Sequence, residues 1–496
     1  MAKVIVVGGG VAGMSAAIYA RRAGLECELF EAHSIMGGNL TAWRREGCVI
    51  DNCIHWLTGT RRGNDLNRVW HELGMLDGTT PVRRRTQLYE SEHGGVRIGL
   101  GSDLEATRRQ MLALSPQDAR EINRLIDTVS ALTPIVCNGR LNEKAGSILH
   151  LPDIVYYRKA TLFALAKRFR HPLLRLLLTD YIGGEFCALA LLVAYAAFAS
   201  GNGSVPVGGS LAAAERVRST CEREGCILHT GTRVTQITTD ATEANGVILA
   251  DGTAVFADYI IAACDPVVTF GTLLPRHLMP GALERRLYNP HTPIFSALHT
   301  AFLCDRETLR PFGTRIIDSP AFSVRSGKRL PVREFSHEPT FAPEGKVVLQ
   351  TIVFQTAEES RAWIELAEDR QRYRERKASV ADATARAIET AMPALRGHLA
   401  LLDVWTPATY HRYLGANKGA FLSYAFTPYA PLRSLPSRVS TIKNLSLATQ
   451  WLSSPGGLPT AALAGRRAAH DAAVALRTSA RTTHGARGAV KLSNES

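Results

Sequence analysis

The chain of 496 residues has nine cysteines but no C-x-x-C pair, and no His/Cys group stands at metal-ligand spacing. Those absences exclude a disulfide framework and a zinc site, and dispersed thiols fit a reducing compartment. No apolar run suits a bilayer. The longest, 186–200, falls short of the roughly 20 residues a span needs and reads as a buried helix. The net charge of +13 is not gathered into a stripe. With no base-reading motif, nucleic acid is not an expected partner. Diffuse positive charge still favours anionic membrane surfaces or acidic partners. There is no internal repeat, and ordered patterning starts at Lys3, so no signal peptide is expected. Hydrophobic residues at 46% and charged residues at 21% describe an ordinary folded chain with room for two or three domains. The expected location is cytoplasmic, with peripheral membrane contact left open. Oligomeric state is not specified.

Against these absences stands one dense N-terminal signal, KVIVVGGGVAGMSAAIYARRAGLECELFE. Val4–Val7 is a β-branched run fit for a central parallel strand. Gly8, Gly10 and Gly13 fill the places of G-x-G-x-x-G: a tight turn, a close approach of pyrophosphate to backbone, and close packing of helix on strand. Val11 and Ala12 open a helix whose free N–H groups suit a phosphate, and Gly24 stops it. Glu31 ends the return strand 23 residues beyond Gly8, where a ribose-binding carboxylate belongs. Such an acid favours an unphosphorylated ribose, as in FAD or NAD.

The α/β pattern then breaks off and resumes twice. After Glu31 come Ala32, the pair Gly37–Gly38, and a strand at Cys48–Ile50. At Gly208–Gly209–Ser210 a helix opens and runs to Arg223, followed by strands at Cys226–His229 and Thr232–Thr238, a hairpin at Asp251–Gly252 and a buried strand at Tyr259–Ala263. Near the end, NLSLATQWLSSPGGLPTAALAGRRAAH reads as strand, glycine loop and helix. Two segments carry basic charge. RKATLFALAKRFRHPLLRLLL is either a substrate-domain helix with a solvated face or an interfacial helix. A charged helix is expected from Ala357 to about Met392. Residues 477–496 are polar and basic and are expected to be disordered.

These motifs together resemble the superfamily of FAD-dependent phytoene desaturases, carotenoid isomerases and retinol saturases, from Lys3 to about Ala473. The carriers are the N-terminal glycine unit, GGNLTAWRREGCVIDNCIHWLTG, VPVGGSLAAAERV…GCILHTGTRVTQI, TPATYHRYLGANKGAFLSY and the C-terminal glycine loop. The fold it implies is α/β: a discontinuous Rossmann-like FAD-binding domain of the glutathione reductase type with an inserted α+β substrate domain. The FAD-binding domain would take residues 1–63, 202–275 and 440–476, the substrate domain 64–201 and 276–439. By the same resemblance Gly8, Gly10, Val11, Ala12, Gly13, Glu31, Ala32, Gly37, Gly38 and Asn39 would hold the ADP half of FAD. Val234 would meet adenine through its main chain, and Gln450, Gly456, Gly457 and Leu458 would border the isoalloxazine. There are departures. Many relatives carry Gly-Asp where this chain has Thr449–Gln450, and Arg or Lys where it has Asn39; Arg44 or Arg45 could supply the missing charge.

The activity implied is hydride transfer to or from flavin N5 on a carbon–carbon bond of a polyene, isoprenoid or other lipid-like substrate, as desaturase, saturase or isomerase. His55 is the catalytic candidate, because its loop should approach the flavin and a histidine titrates in a useful range. The alternative is that it orders that loop. Asp51 is expected to fix the loop. Trp56, Tyr410 and Tyr424 are candidate pocket residues, with His411 and Lys418 behind them. Three other readings compete: a flavin amine oxidase, a prenyl-binding escort without catalysis, and an NAD dehydrogenase. The last leaves the C-terminal glycine loop without a role.

Overall fold

A parallel five-stranded sheet organises the nucleotide side of the molecule, and its strands come from three distant parts of the chain. A computed structural model describes residues 1–138, 150–240, 242–319 and 329–492, without the side chains of 138 and 479–492. The strand order is Ile227–His229, Glu26–Phe30, Lys3–Val7, Tyr259–Ala262, Leu445–Leu447. Val6 lies between Leu29 and Ile261, so the first strand is central and buried on both faces. This is why it reads as a continuous apolar run and not as an alternation. The helix Val11–Arg22 leaves the tip of that strand and packs against two others, Gly209–Arg223 and the long final helix Leu458–Leu492. Small residues set that second contact. A Cβ on Gly465 would stand 2.2 Å from the Ala12 carbonyl oxygen, and Ser15 Oγ donates to the Ala462 carbonyl at 2.7 Å.

A seven-stranded mixed sheet forms the other half, in the order Ala400–Trp405, Ser296–Asp305, Lys346–Gln355, Arg329–Glu334, Thr314–Asp318, Gln87–His93, Val96–Gly101. Helices Leu104–Leu114, Ala119–Asn138, Leu151–Lys159, Pro172–Thr179 and Ala188–Ala199 bury an aromatic and leucine-rich core with its Gln87–Gly101 edge. No helix among the described residues is long and apolar enough to cross a membrane.

Three expectations about elements change. The basic segment 158–178 is not one helix; it is cut at Ala160 and again before Pro172, where Thr161 and His171 cap new starts. That rules out a single interfacial helix there. The charged helix from Ala357 is two, Ala357–Leu366 and Arg370–Ala391, because Asp369 accepts from the N–H groups of Gln371 and Arg372 and starts a second helix. Finally, the last helix continues through Leu492 where disorder is expected from 477 onward. Alanines and arginines in that polar run are good helix formers. Residues 493–496 lie outside the described residues.

Candidate functional site

The two sheets enclose one cavity of about 1210 Å³, larger than the roughly 300–1,000 Å³ of a single-ligand site. Gly10 and Gly457, 447 positions apart in sequence, both line it.

At its nucleotide end the first strand delivers Gly8, Gly9 and Gly10 to the wall. A Cβ on Gly10 would meet no protein atom nearer than 4.0 Å, so the missing side chain leaves open space in the cavity. The helix beginning at Val11 has no side-chain cap and no acid in its first turn. Its first N–H groups, from Val11 and Ala12, therefore face the cavity uncompensated, as an anion requires. Glu31 follows at the end of the second strand, and its carboxylate accepts from Gly9 N at 2.6 Å and His33 N at 2.8 Å. Ala32, Gly37, Gly38, Asn39 and Val234 continue the same wall. At the far end Gln450, Gly457 and Leu458 line it. Gln450 Oε1 accepts from Gly457 N at 2.7 Å, so the glutamine shapes the loop that opens the last helix. A Cβ on Gly457 would come no closer than 3.8 Å to anything, again leaving room. These open glycines and free helix ends suit a dinucleotide.

Three expected contacts lie off the wall. Gly13 faces inward, where a Cβ would stand 1.9 Å from the Gly8 carbonyl oxygen; its role is to let the helix pack. Gly456 has φ +84°, and a Cβ there would meet Gln450 Oε1 at 2.7 Å and Ser423 Oγ at 2.8 Å, so it makes the turn without reaching the cavity. Tyr424 is fully buried in the core beneath the nucleotide sheet, edge-on to Trp451 at 5.2 Å. Its neighbours Phe421, Leu422 and Phe426 take the wall instead. His411 and Lys418 also miss the cavity. Arg45 reaches it but is paired with Asp403 at 3.2 Å, and Arg44 does not reach it.

The loop bearing His55 is held from below. Asp51 accepts from Ser210 N and Oγ, both at 2.6 Å, and from Cys53 N, tying the loop to the start of the helix Gly209–Arg223. Burial raises the Asp51 carboxyl above its usual range despite these bonds. His55 lines the cavity, with its ring 6.2 Å from that of Phe421. Burial, then the Arg333, His299 and Arg85 side chains, push its pKa well below the ordinary value. The useful titration expected of it is therefore not found: at neutral pH the imidazole is uncharged. Trp56 also lines the cavity and donates to Tyr181 Oη at 3.0 Å.

A polar chain that sequence reasoning missed runs along the same wall. Asn39 Oδ1 accepts from Asn52 Nδ2 at 2.8 Å, and Asn52 Oδ1 accepts from Trp405 Nε1 and Tyr410 Oη, both at 3.0 Å. Tyr410 Oη lies 2.9 Å from His299 Nε2, and the His299 ring stacks on Trp405 at 4.5 Å. Burial lowers His299 to about 3. Arg85, Arg233, Arg333 and Gln350 are further wall residues outside the expected set. Arg233 lies in the GTRV stretch just before Val234, whereas Arg85, Arg333 and Gln350 lie in none of the motifs above, and the fold of the seven-stranded sheet brings these three together. Among the described residues no group of histidine, cysteine or acid side chains could hold a metal.

Comparison with known proteins follows the same lines. Residues 11–473 match the family model described as flavin containing amine oxidoreductase. A 4,4'-diaponeurosporene oxygenase of Staphylococcus haemolyticus is 24% identical over 500 residues, covering 94% of this chain and 96% of the relative. An oxidoreductase from Methanosarcina mazei superposes with a TM-score of 0.60 at 16% identity, covering 93% of this chain and 98% of that one. Cyclohexylamine oxidase from Brevibacterium oxydans gives 0.56 at 15% identity, covering 96% and 99%.

Proposed function

The chain belongs to the flavin-containing amine oxidoreductase family and is an oxidoreductase with FAD as its cofactor; from that premise we propose that it acts on carbon–carbon bonds of a hydrophobic polyene or isoprenoid. The observation that carries this reading is the cavity's far wall. Beyond Leu422 it is built from Phe354, Phe295 and Phe186, in successive edge-on contacts at 5.3 and 5.4 Å, with Ala190 and Ala194 beside them. A long unsaturated chain fits such a surface. The carotenoid-pathway name of the Staphylococcus relative points the same way. The parallel sheet with its uncapped glycine helix supports a Rossmann-like domain of the glutathione reductase type.

Bound FAD supplies a two-electron hydride acceptor or donor. The protein supplies the rest. The first N–H groups at Val11 and Ala12 would bind the pyrophosphate. Gln450 fixes the Gly457 loop, which would border the ring system. Phe421, Leu422 and Trp56 exclude water and orient the substrate chain. His55, uncharged, can accept a proton at a ring nitrogen but does not bring one.

An amine oxidase reading is less well supported by this wall. Its acids are already engaged: Glu31 by Gly9 and His33, Asp265 by the N–H groups of Val267 and Asn417, and Asp403 by Trp43 and Arg45. An ammonium group beside His55 would instead meet Arg85 and Arg333. The deciding experiment is anaerobic mixing of the flavoprotein with a panel of polyenes and of amines while the flavin band is followed. Bleaching by a polyene supports the reading, and bleaching by amines alone overturns it. Polyene isomerisation without net bleaching would place the enzyme among redox-neutral isomerases. We also propose peripheral contact with anionic membranes, supported by the net charge and by exposed Tyr429 and Leu432 on one loop. Absence of co-sedimentation with anionic liposomes at low salt would refute it.

A further inference from the structure

Beside its aromatic wall the cavity has a cationic end. Three neighbouring strands of the seven-stranded sheet place Thr314, Arg333 and Gln350 side by side: Thr314 pairs in register with Arg333, and Arg333 with Gln350. All three line the cavity, and Arg85 joins them. Arg333 and Gln350 are each 7% exposed. Arg333 Nη2 donates to the carbonyls of Ile54 and His55 at 2.9 and 3.0 Å, and Arg85 Nη1 reaches the same His55 carbonyl at 3.4 Å. Two guanidinium groups thus converge on one oxygen. Arg85 Nη2 is taken up by the Leu88 carbonyl and Thr314 Oγ1, but Arg333 Nε and Gln350 Nε2 are buried donors with no partner. Among the described residues neither arginine forms an ion pair with a carboxylate. Asp51 and Glu334 act on Arg333 only at longer range, and Arg85 disfavours its charge. Glu334 is itself taken up by the N–H groups of Gly313 and Ser336.

Buried polar donors need acceptors, and an oxyanion is the acceptor that also answers an unpaired positive charge. We propose that Arg333, Gln350 and Arg85 form a subsite for the carboxylate end of an apolar chain, and that the substrate or product of this enzyme carries such an end. This rests on the polyene reading given above. The geometry sets the ligand's direction. From Gln350 the same face of the strand continues through Ile352 to Phe354, about 7 and about 13 Å further along at the usual strand rise. Phe354 then begins the aromatic wall. A head group at Arg333 would therefore lay its chain along Ile352, Phe354 and Phe295.

The test uses FAD-loaded protein and ligand pairs that differ only in the head group: all-trans-retinoate against all-trans-retinol, and palmitate against hexadecanol. Binding is read from perturbation of the flavin spectrum. Each acid should bind at least tenfold more tightly than its alcohol, the difference expected of one charge-assisted hydrogen bond. Gln350→Leu and Arg333→Gln should reduce that preference while retinol affinity stays within about threefold. Should Arg333→Gln fail to fold because the His55 loop loses its clamp, Gln350→Leu, which leaves both carbonyl contacts intact, decides alone. Equal affinity for acid and alcohol in the unaltered protein overturns the subsite but leaves the polyene reading standing. A preference that survives Gln350→Leu unchanged also overturns it. Preference for palmitate with no binding of either retinoid keeps the subsite and removes the polyene reading.

Discussion

Lowering the pH from 7 to 5 should destabilise this protein through the buried His299. The imidazole is 3% exposed, and burial lowers it from an ordinary value of 6.5 to about 3. In the unfolded chain it charges as pH falls through 6.5; in the fold it stays neutral until far lower. Between those values the unfolded state binds more protons, so stability rises with pH across the window. The contribution is fully present above 6.5 and is lost as pH falls toward 3. At pH 5 the loss from this one residue is about 2 kcal/mol, from 1.36 kcal/mol per unit over about one and a half units. The perturbation that isolates it is His299→Gln. Glutamine can still bond Tyr410 but does not titrate. The variant loses the stacking on Trp405, worth roughly 1 kcal/mol at both pH values, which leaves the pH slope untouched. The assay is denaturant unfolding of both proteins at pH 7 and pH 5 in saturating FAD. The fall in stability should be smaller in the variant by about 2 kcal/mol. Equal falls would refute the reasoning, because they would mean that His299 charges as easily in the fold as out of it.

Gly10→Val should remove FAD while the protein still folds, since the added side chain enters open cavity; flavin absorbance after reconstitution checks it. Gly13→Val should do the reverse and unfold the domain, its Cβ falling 1.9 Å from the Gly8 carbonyl oxygen, read as lost soluble expression or lost cooperative unfolding. Gln450→Ala removes the acceptor for Gly457 N and should weaken FAD about tenfold, for roughly 1–1.5 kcal/mol, measured by equilibrium dialysis. Asp51→Ala breaks three bonds to Ser210 and Cys53 and should cost roughly 2–4 kcal/mol of stability, seen as an earlier unfolding midpoint.

Elements whose signal is local are legible in the sequence. The strand–glycine–helix–strand unit at Lys3–Glu31 is one, because its turn, its helix start and its closing acid are set by residues close together in the chain. The Gly208 helix start and the Asp251–Gly252 turn are others, where positive φ at Gly208 and Gly252 is a demand that glycine alone meets cheaply. What misled was composition standing in for geometry. A basic amphipathic stretch at 158–178 reads as one helix until Thr161 and His171, each capable of capping, cut it. Tyr424 reads as a pocket residue from its place in TPATYHRYLGANKGAFLSY, yet it turns into the core while Phe421, Leu422 and Phe426 turn out.

The cationic end of the cavity shows why substrate contacts are harder to read than cofactor contacts. A phosphate is met by backbone N–H groups, so its site is written in glycines and helix starts, which leave a local pattern. A substrate head group is met by side chains, and here Arg85, Arg333 and Gln350 come from separate strands or the segments beside them. Each alone reads as an ordinary residue of a mixed sheet. Only the strand register, which sets Arg333 against Gln350 and Thr314, converts them into a group. The same register places uncharged His55, through its carbonyl, under both guanidinium groups. A carboxylate arriving there would offset the two positive charges that, after burial, disfavour the imidazolium, and so raise its proton affinity. Binding of an acidic ligand and the protonation state of His55 are in this way coupled. The coupling predicts that retinoate raises the apparent pKa of any His55-dependent step while retinol does not. A pH–rate profile that is the same with either ligand bound would show the two sites to be independent.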